Sequence, residues 1–103
     1  MKALFWKAYT HLNRHQAIDL LKQIISQYGA IMDFKPFSDL DLSLEISVNE
    51  DRLTALLLSL KKHFTIEAPD FLVESNQERL LYLNITFTQS TGNLIVEVPA
   101  VPG

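Results

Sequence analysis

Ionisable side chains of both signs recur at every second residue in two segments of this chain, a spacing that places them on one face of a β-sheet. The first segment contributes Lys7, Tyr9 and His11, and the second contributes Glu45. A histidine, a tyrosine and a carboxylate that converge on one surface could transfer protons. If the chain is an enzyme, the candidate catalytic residues are therefore His11, Tyr9 and Glu45. The face expected to carry them comprises Phe5, Lys7, Tyr9, His11, Asp41, Ser43, Glu45 and Ser47, joined by Asp33 and Lys35 from a further strand.

The same alternation also has a purely structural interpretation, which we favour. It is typical of an amphipathic sheet whose charged side chains form cross-strand ion pairs. Under this interpretation the aromatic side chains of Phe5 and Tyr9 would be covered by a second subunit or by the C-terminal hairpin described below. No catalytic residue is then expected.

Recognisable catalytic and cofactor-binding motifs are missing from the sequence. The chain contains no cysteine, so it has no disulfide, no thiolate metal ligand and no cysteine nucleophile. Its three glycines, Gly29, Gly92 and Gly103, are too scattered to form a phosphate- or dinucleotide-binding loop. The three histidines lack acidic neighbours at metal-ligand spacing. We therefore predict no metal site and no cofactor.

The charge balance restricts the classes of partner. The formal net charge is −3 and no long basic run occurs, so we predict no nucleic-acid partner. Aromatic side chains on the first strand suit base stacking, but Asp41 and Glu45 on the neighbouring strand would repel phosphate. No apolar run is long enough to span a bilayer, and no signal-peptide pattern opens the sequence. We predict a cytoplasmic protein without a membrane partner.

Two helices are predicted from apolar residues spaced three and four apart. The first spans residues 14–28, with Asn13 as its N-cap and Gly29 ending it in a left-handed conformation. The second begins after Asn49 as its N-cap and carries acidic residues in its first turn. Its inner stripe comprises Leu53, Leu56, Leu57, Leu60 and Phe64.

Alternating and β-branched segments predict the strands. The alternation is cleanest where Leu42, Leu44 and Ile46 point to one side and acidic or serine side chains point to the other. The predicted strands span residues 3–12, 30–37, 40–48 and 65–68, followed by a C-terminal hairpin of residues 80–88 and 94–98.

This element order predicts one α+β domain spanning residues 1–103. Its core, residues 3–68, would be a ferredoxin-like split βαβ sandwich with the order βαββαβ, and the hairpin and tail of residues 80–103 would be added to it. In that topology the first and third strands are central neighbours. Both helices would cover the face that carries Leu42, Leu44 and Ile46.

Residues 6–66 resemble the small ligand-sensing domains of the ACT-like group. The resemblance lies in the element order and in residues 17–29, 40–48 and 53–60. It implies a homodimer that binds a small effector at the subunit interface. Members of the group usually place a glycine between the first strand and the first helix, whereas this chain has Leu12, Asn13, Arg14 and His15 there. The ligand-binding candidates are Asn13, Arg14, His15, Lys7 and Tyr9.

The leading functional prediction is a small cytosolic, non-enzymatic regulatory or interaction module that forms a homodimer and takes a small effector at the subunit interface. The alternative is an enzyme of the dimeric α+β barrel type, with a cavity on the uncovered sheet face and His11, Tyr9 and Glu45 as acid–base residues. An enclosed pocket lined by those three side chains would favour the enzyme. A third expectation is that the hairpin edge or the proline-bearing tail docks a larger partner by strand addition.

Overall fold

A computed structural model describes residues 3–73 and 75–88. The elements follow the chain in the order β1 (Leu4–Thr10), α1 (Arg14–Ser26), β2 (Gly29–Pro36), β3 (Asp41–Asn49), a 3₁₀ turn (Glu50–Arg52), α2 (Leu53–Lys61), β4 (Thr65–Glu67) and β5 (Glu78–Phe87). None of the helices in these ranges is long and apolar enough to cross a membrane.

The five strands form one sheet in the order β2-β3-β5-β1-β4. β5 runs parallel to β1 and antiparallel to β3, while β2–β3 and β1–β4 are antiparallel pairs. The α+β class is confirmed. The prediction that β1 and β3 are neighbours is wrong, because β5 lies between them.

The position of β5 also corrects the predicted C-terminal hairpin. β1 pairs with β5 from Leu81 to Phe87, and β3 pairs with its other edge from Glu78 to Thr86. Both hydrogen-bonding edges of β5 are therefore occupied by β1 and β3 in the part of the chain that the structure describes, which makes β5 a central strand of the sheet. The predicted second hairpin strand, residues 94–98, lies outside the described residues.

The hydrophobic core lies between the two helices and one face of the sheet. Alternate residues of β3, including Leu42, Leu44 and Ile46, are fully buried there, as the alternation predicted. β5 contributes Leu81, Leu83, Ile85 and Phe87, α1 contributes Ala17, Leu21, Ile24 and Ile25, and α2 contributes Leu53, Leu56 and Leu60. Burial of each large apolar side chain stabilises the fold by about 1.5–3 kcal/mol before conformational entropy is subtracted.

The start of α1 follows the sequence prediction, whereas its end does not. Asn13 is the N-cap, and its Oδ1 accepts a hydrogen bond of 2.8 Å from the backbone N–H of Gln16. At the other end Gln27 is the C-cap in a right-handed conformation, and Gly29 is already the first residue of β2. A Cβ atom at Gly29 would overlap the carbonyl oxygen of Ser47 on β3. The glycine is thus needed for a close approach of two strands, not for a left-handed helix end.

The start of α2 is also built differently from the prediction. Asn49 makes no side-chain capping hydrogen bond, and the turn that follows it contains the buried carboxylate of Glu50. Glu50 forms a 2.7 Å ion pair with Arg79 of β5 and accepts a 2.9 Å hydrogen bond from the backbone N–H of Ser75. The sequence predicted only a favourable interaction of Glu50 with the helix dipole. In the structure Glu50 also connects the end of β3 to the start of β5 through its ion pair with Arg79.

Candidate functional site

The sheet face turned away from both helices carries polar and aromatic side chains, which alternate along the strands with the buried residues. We call it the open face, and it comprises Phe5, Lys7, Tyr9, Asp33, Lys35, Asp41, Ser43, Glu45, Ser47, Thr65, Glu67, Leu80, Tyr82, Asn84 and Thr86. These side chains are half-buried or exposed. The sequence predicted the residues of β1, β2 and β3 on this face, but it did not predict the contributions of β4 and β5.

Strand register arranges the open face in rows that cross the sheet. The central row runs Glu67, Lys7, Asn84, Ser43, Lys35 from β4 to β2. On one side of it lies the row Thr65, Tyr9, Thr86, Asp41, and on the other side lies the row Phe5, Tyr82, Glu45, Asp33. Side chains in one row are direct cross-strand neighbours, so they are well placed to contact one another.

An aromatic pair stands on the central strand β5 and on its neighbour β1. The rings of Phe5 and Tyr82 are stacked, with centroids 5.1 Å apart and planes inclined by 13°. Phe5 nevertheless remains 65% exposed. Exposed aromatic area of this kind is favourable to bury, and aromatic residues are enriched in protein–protein interfaces.

Polar contacts on the open face mostly join adjacent strands. The hydroxyl of Thr86 donates a 2.9 Å hydrogen bond to Oδ1 of Asp41, and the hydroxyl of Tyr9 donates a 3.3 Å hydrogen bond to Oε1 of Glu67. Lys35 forms an exposed 3.6 Å ion pair with Asp33 on its own strand. Among the described residues Lys7 and Glu45 form no ion pair, so the charges of both side chains are available to a partner.

An open groove of about 590 Å³ follows the central strands on this face. Its wall comprises Phe5, Trp6, Lys7, Tyr9, Phe37, Asp41, Ser43, Tyr82, Asn84 and Thr86. The volume lies in the range of small-molecule sites, and the lining combines aromatic rings with one amide, hydroxyl groups, one ammonium and one carboxylate. Such a lining suits a polar molecule with an apolar part.

The three acid–base candidates are not brought together. Tyr9 is level with Asp41, and Glu45 is four residues further along β3, so β5 separates Tyr9 and Glu45 by about 10 Å across the sheet and about 13 Å along it. His11 lies beyond the end of β1, where its Nδ1 is 2.8 Å from the hydroxyl of Thr88. Of the three, only Tyr9 lines the groove.

The five ligand-binding candidates fall into two places. Lys7 and Tyr9 line the groove of the open face. Asn13, Arg14 and His15 lie at the start of α1, beyond one end of the sheet. Asn13 already accepts the capping hydrogen bond, and His15 is exposed.

Arg14 is held by contacts within the chain. Its guanidinium donates a hydrogen bond to the carbonyl oxygen of Ser38, and its Cζ lies 5.1 Å from the centroid of the Phe87 ring. It also lines a second cavity of about 440 Å³ beside the β2–β3 connection, and Phe37 borders both this cavity and the groove. Arg14 therefore fixes the connection that forms one end of the groove.

The sequence prediction assigned β5 to a peripheral hairpin and therefore missed the three groove residues that β5 contributes. Tyr82, Asn84 and Thr86 occupy the middle of the open face. The available signal was the unbroken alternation of Leu81, Leu83, Ile85 and Phe87, which marks a strand as strongly buried as β3. Within the described ranges no three histidine, aspartate or glutamate side chains are grouped closely enough to hold a metal ion.

In comparisons with known proteins, no family model, no curated protein and no solved structure matches this chain.

Proposed function

We propose that this chain is a small, non-enzymatic interaction module of the cytoplasm, which forms a homodimer through the open face and has a regulatory role. The observation that supports it best is the stacked Phe5–Tyr82 pair on β1 and β5, in which Phe5 is exposed and Tyr82 is half-buried, on a sheet face that neither helix covers. A second copy would remove these rings from water.

The size of the open face agrees with this role. The five strands are between three and ten residues long and lie about 4.8 Å apart, so at about 3.3 Å per residue they cover a face of about 600 Å². That area per copy lies at the lower end of the range for specific interfaces. We therefore expect a dimer of micromolar affinity rather than an obligate one.

A small effector fits this proposal as a ligand of the groove between the two copies. The groove is open on the side away from the sheet, and a second copy would close it. Lys7 and Asn84 would offer an ammonium and an amide to polar groups of the effector, while Tyr82 would contact its apolar part.

The separation of the acid–base candidates supports a module over an enzyme. Neither His11 nor Glu45 lines the groove, so Tyr9 has no acid–base partner from the predicted trio there. The enzyme alternative required an enclosed pocket lined by all three side chains.

The strand order supports a further proposal about the fold. Without β5, the remaining strands have the order β4-β1-β3-β2, and each is antiparallel in direction to the next. We propose a ferredoxin-like arrangement, related in pattern to the ACT-like group, into which a fifth strand is inserted between β1 and β3.

Replacement of Phe5 tests the proposed interface. Phe5→Ser removes exposed aromatic area from the open face, so we expect the dimer dissociation constant to rise at least tenfold in sedimentation equilibrium. The matched control is Leu58→Ser on α2, which is 59% exposed and lies away from the sheet face. The control should leave the dissociation constant unchanged, and circular dichroism should show both variants folded. Equal dissociation constants for the two variants would contradict the proposal.

A further inference from the structure

Charges on the open face are segregated by strand. The only charged side chain that β1 places there is Lys7, whereas β3 places Asp41 and Glu45 there and no cation. β5 lies between these two strands and contributes the uncharged side chains of Tyr82, Asn84 and Thr86. The central part of the face is thus positive on one side and negative on the other.

Two copies can pair face to face about a two-fold axis in two ways. If the axis crosses the strands, each strand lies over its own counterpart, so the acidic strand β3 faces β3 and Lys7 approaches Lys7. If the axis runs along β5, β1 of each copy lies over β3 of the other. Juxtaposed like charges cost several kcal/mol in an interface, so the charge pattern disfavours the first arrangement.

The register of the central row supports the second arrangement in detail. A two-fold rotation about an axis along β5 places the central row of one copy over the central row of the other in the opposite order. The row reads Glu67, Lys7, Asn84, Ser43, Lys35. Glu67 of one copy then faces Lys35 of the other, and Asn84 faces Asn84, whose amide can both donate and accept. Lys7 faces Ser43, which lies between Asp41 and Glu45 on its strand. Each cation in the row meets an anion or lies next to one.

We propose that the dimer forms about a two-fold axis along β5, with β1 of each copy over β3 of the other and Lys7 of each copy beside Glu45 and Asp41 of its partner copy. This arrangement rests on the proposed function, because it specifies how the open faces pair. Lys7 and Glu45, which form no ion pair within the described part of one chain, acquire one between chains.

Charge exchange between two full-length variants tests this arrangement. Lys7→Glu places an anion beside Asp41 and Glu45 of the partner copy, and Glu45→Lys places a cation beside the partner copy's Lys7. Each variant alone should therefore have a dimer dissociation constant at least tenfold higher than that of the unmodified chain. Mixed in equal amounts, the two variants form a heterodimer in which one contact joins the two substituted positions with opposite charges and the other joins native Lys7 and Glu45. Native mass spectrometry should show the heterodimer with near-native affinity.

Exposed charges on α1 give matched controls. Lys22→Glu and Asp19→Lys change the net charge by the same amounts outside the open face, and neither should weaken the dimer. If the unmodified chain dimerises but the mixture shows no recovery, or if the α1 variants weaken the dimer equally, this arrangement is wrong while the proposed function stands. If the unmodified chain is a monomer up to about 100 µM, both proposals are wrong.

Discussion

At the residue scale, the position where sequence and structure differ most instructively is Gly29. A glycine after an amphipathic helix commonly marks a left-handed helix end, and the residues around Gly29 give no sign that β3 passes close beside it. The structure places Gly29 in β2, opposite Val48 and against the carbonyl oxygen of Ser47. The requirement for glycine comes from a contact 18 residues away in the chain, which local pattern does not encode.

Replacement of Gly29 by alanine distinguishes the two roles. Because the added methyl group has to displace the β3 backbone, we expect Gly29→Ala to lower the free energy of unfolding by about 1–3 kcal/mol in urea denaturation. Ala30→Ser, at the exposed neighbouring position, should change it by less than about 0.5 kcal/mol. Unchanged or increased stability of Gly29→Ala would contradict the close approach.

At the element scale, the sequence predicted which residues form strands and which faces they bury, but not which strands are neighbours. The alternation in β3 and β5 reflects burial on one face, and that burial is the same whether a strand lies at the centre or near an edge of the sheet. Neighbour choice depends on contacts between distant segments, such as the pairing of Leu4 with Leu81. The helices were predicted better, because their periodicity and the Asn13 cap are local.

The central position of β5 predicts its rate of amide hydrogen exchange. Since both of its edges are hydrogen-bonded and its inner side chains are fully buried, the amides of β5 should exchange only through global unfolding, as slowly as those of β3. The three-residue edge strand β4 should exchange much faster. Hydrogen–deuterium exchange with mass spectrometry resolves these segments. Exchange of β5 as fast as that of β4 would be the behaviour of a peripheral hairpin and would contradict the topology.

At the scale of the whole molecule, the two faces of the sheet differ: two helices bury one face and leave the other without cover. The sequence was sufficient to predict this asymmetry and to place Lys7, Tyr9 and Glu45 on the uncovered side. It was insufficient to predict the groove, because three of the residues that line it, Tyr82, Asn84 and Thr86, come from β5. The topology predicted from the sequence also placed Tyr9 and Glu45 on neighbouring strands, whereas β5 separates their strands in the structure.

The assignment of the open face as the dimer interface is tested most directly by hydroxyl-radical footprinting of the full chain. The labelling is compared at about 1 µM and about 100 µM, on either side of the expected dissociation constant. Phe5 is 65% exposed in the single chain, and Leu58 is 59% exposed on the far side of the fold. If the open face is the dimer interface, labelling of Phe5 and Tyr82 falls several-fold at the higher concentration while labelling of Leu58 stays constant. Labelling of Phe5 that is independent of concentration would contradict the assignment of the open face as the interface.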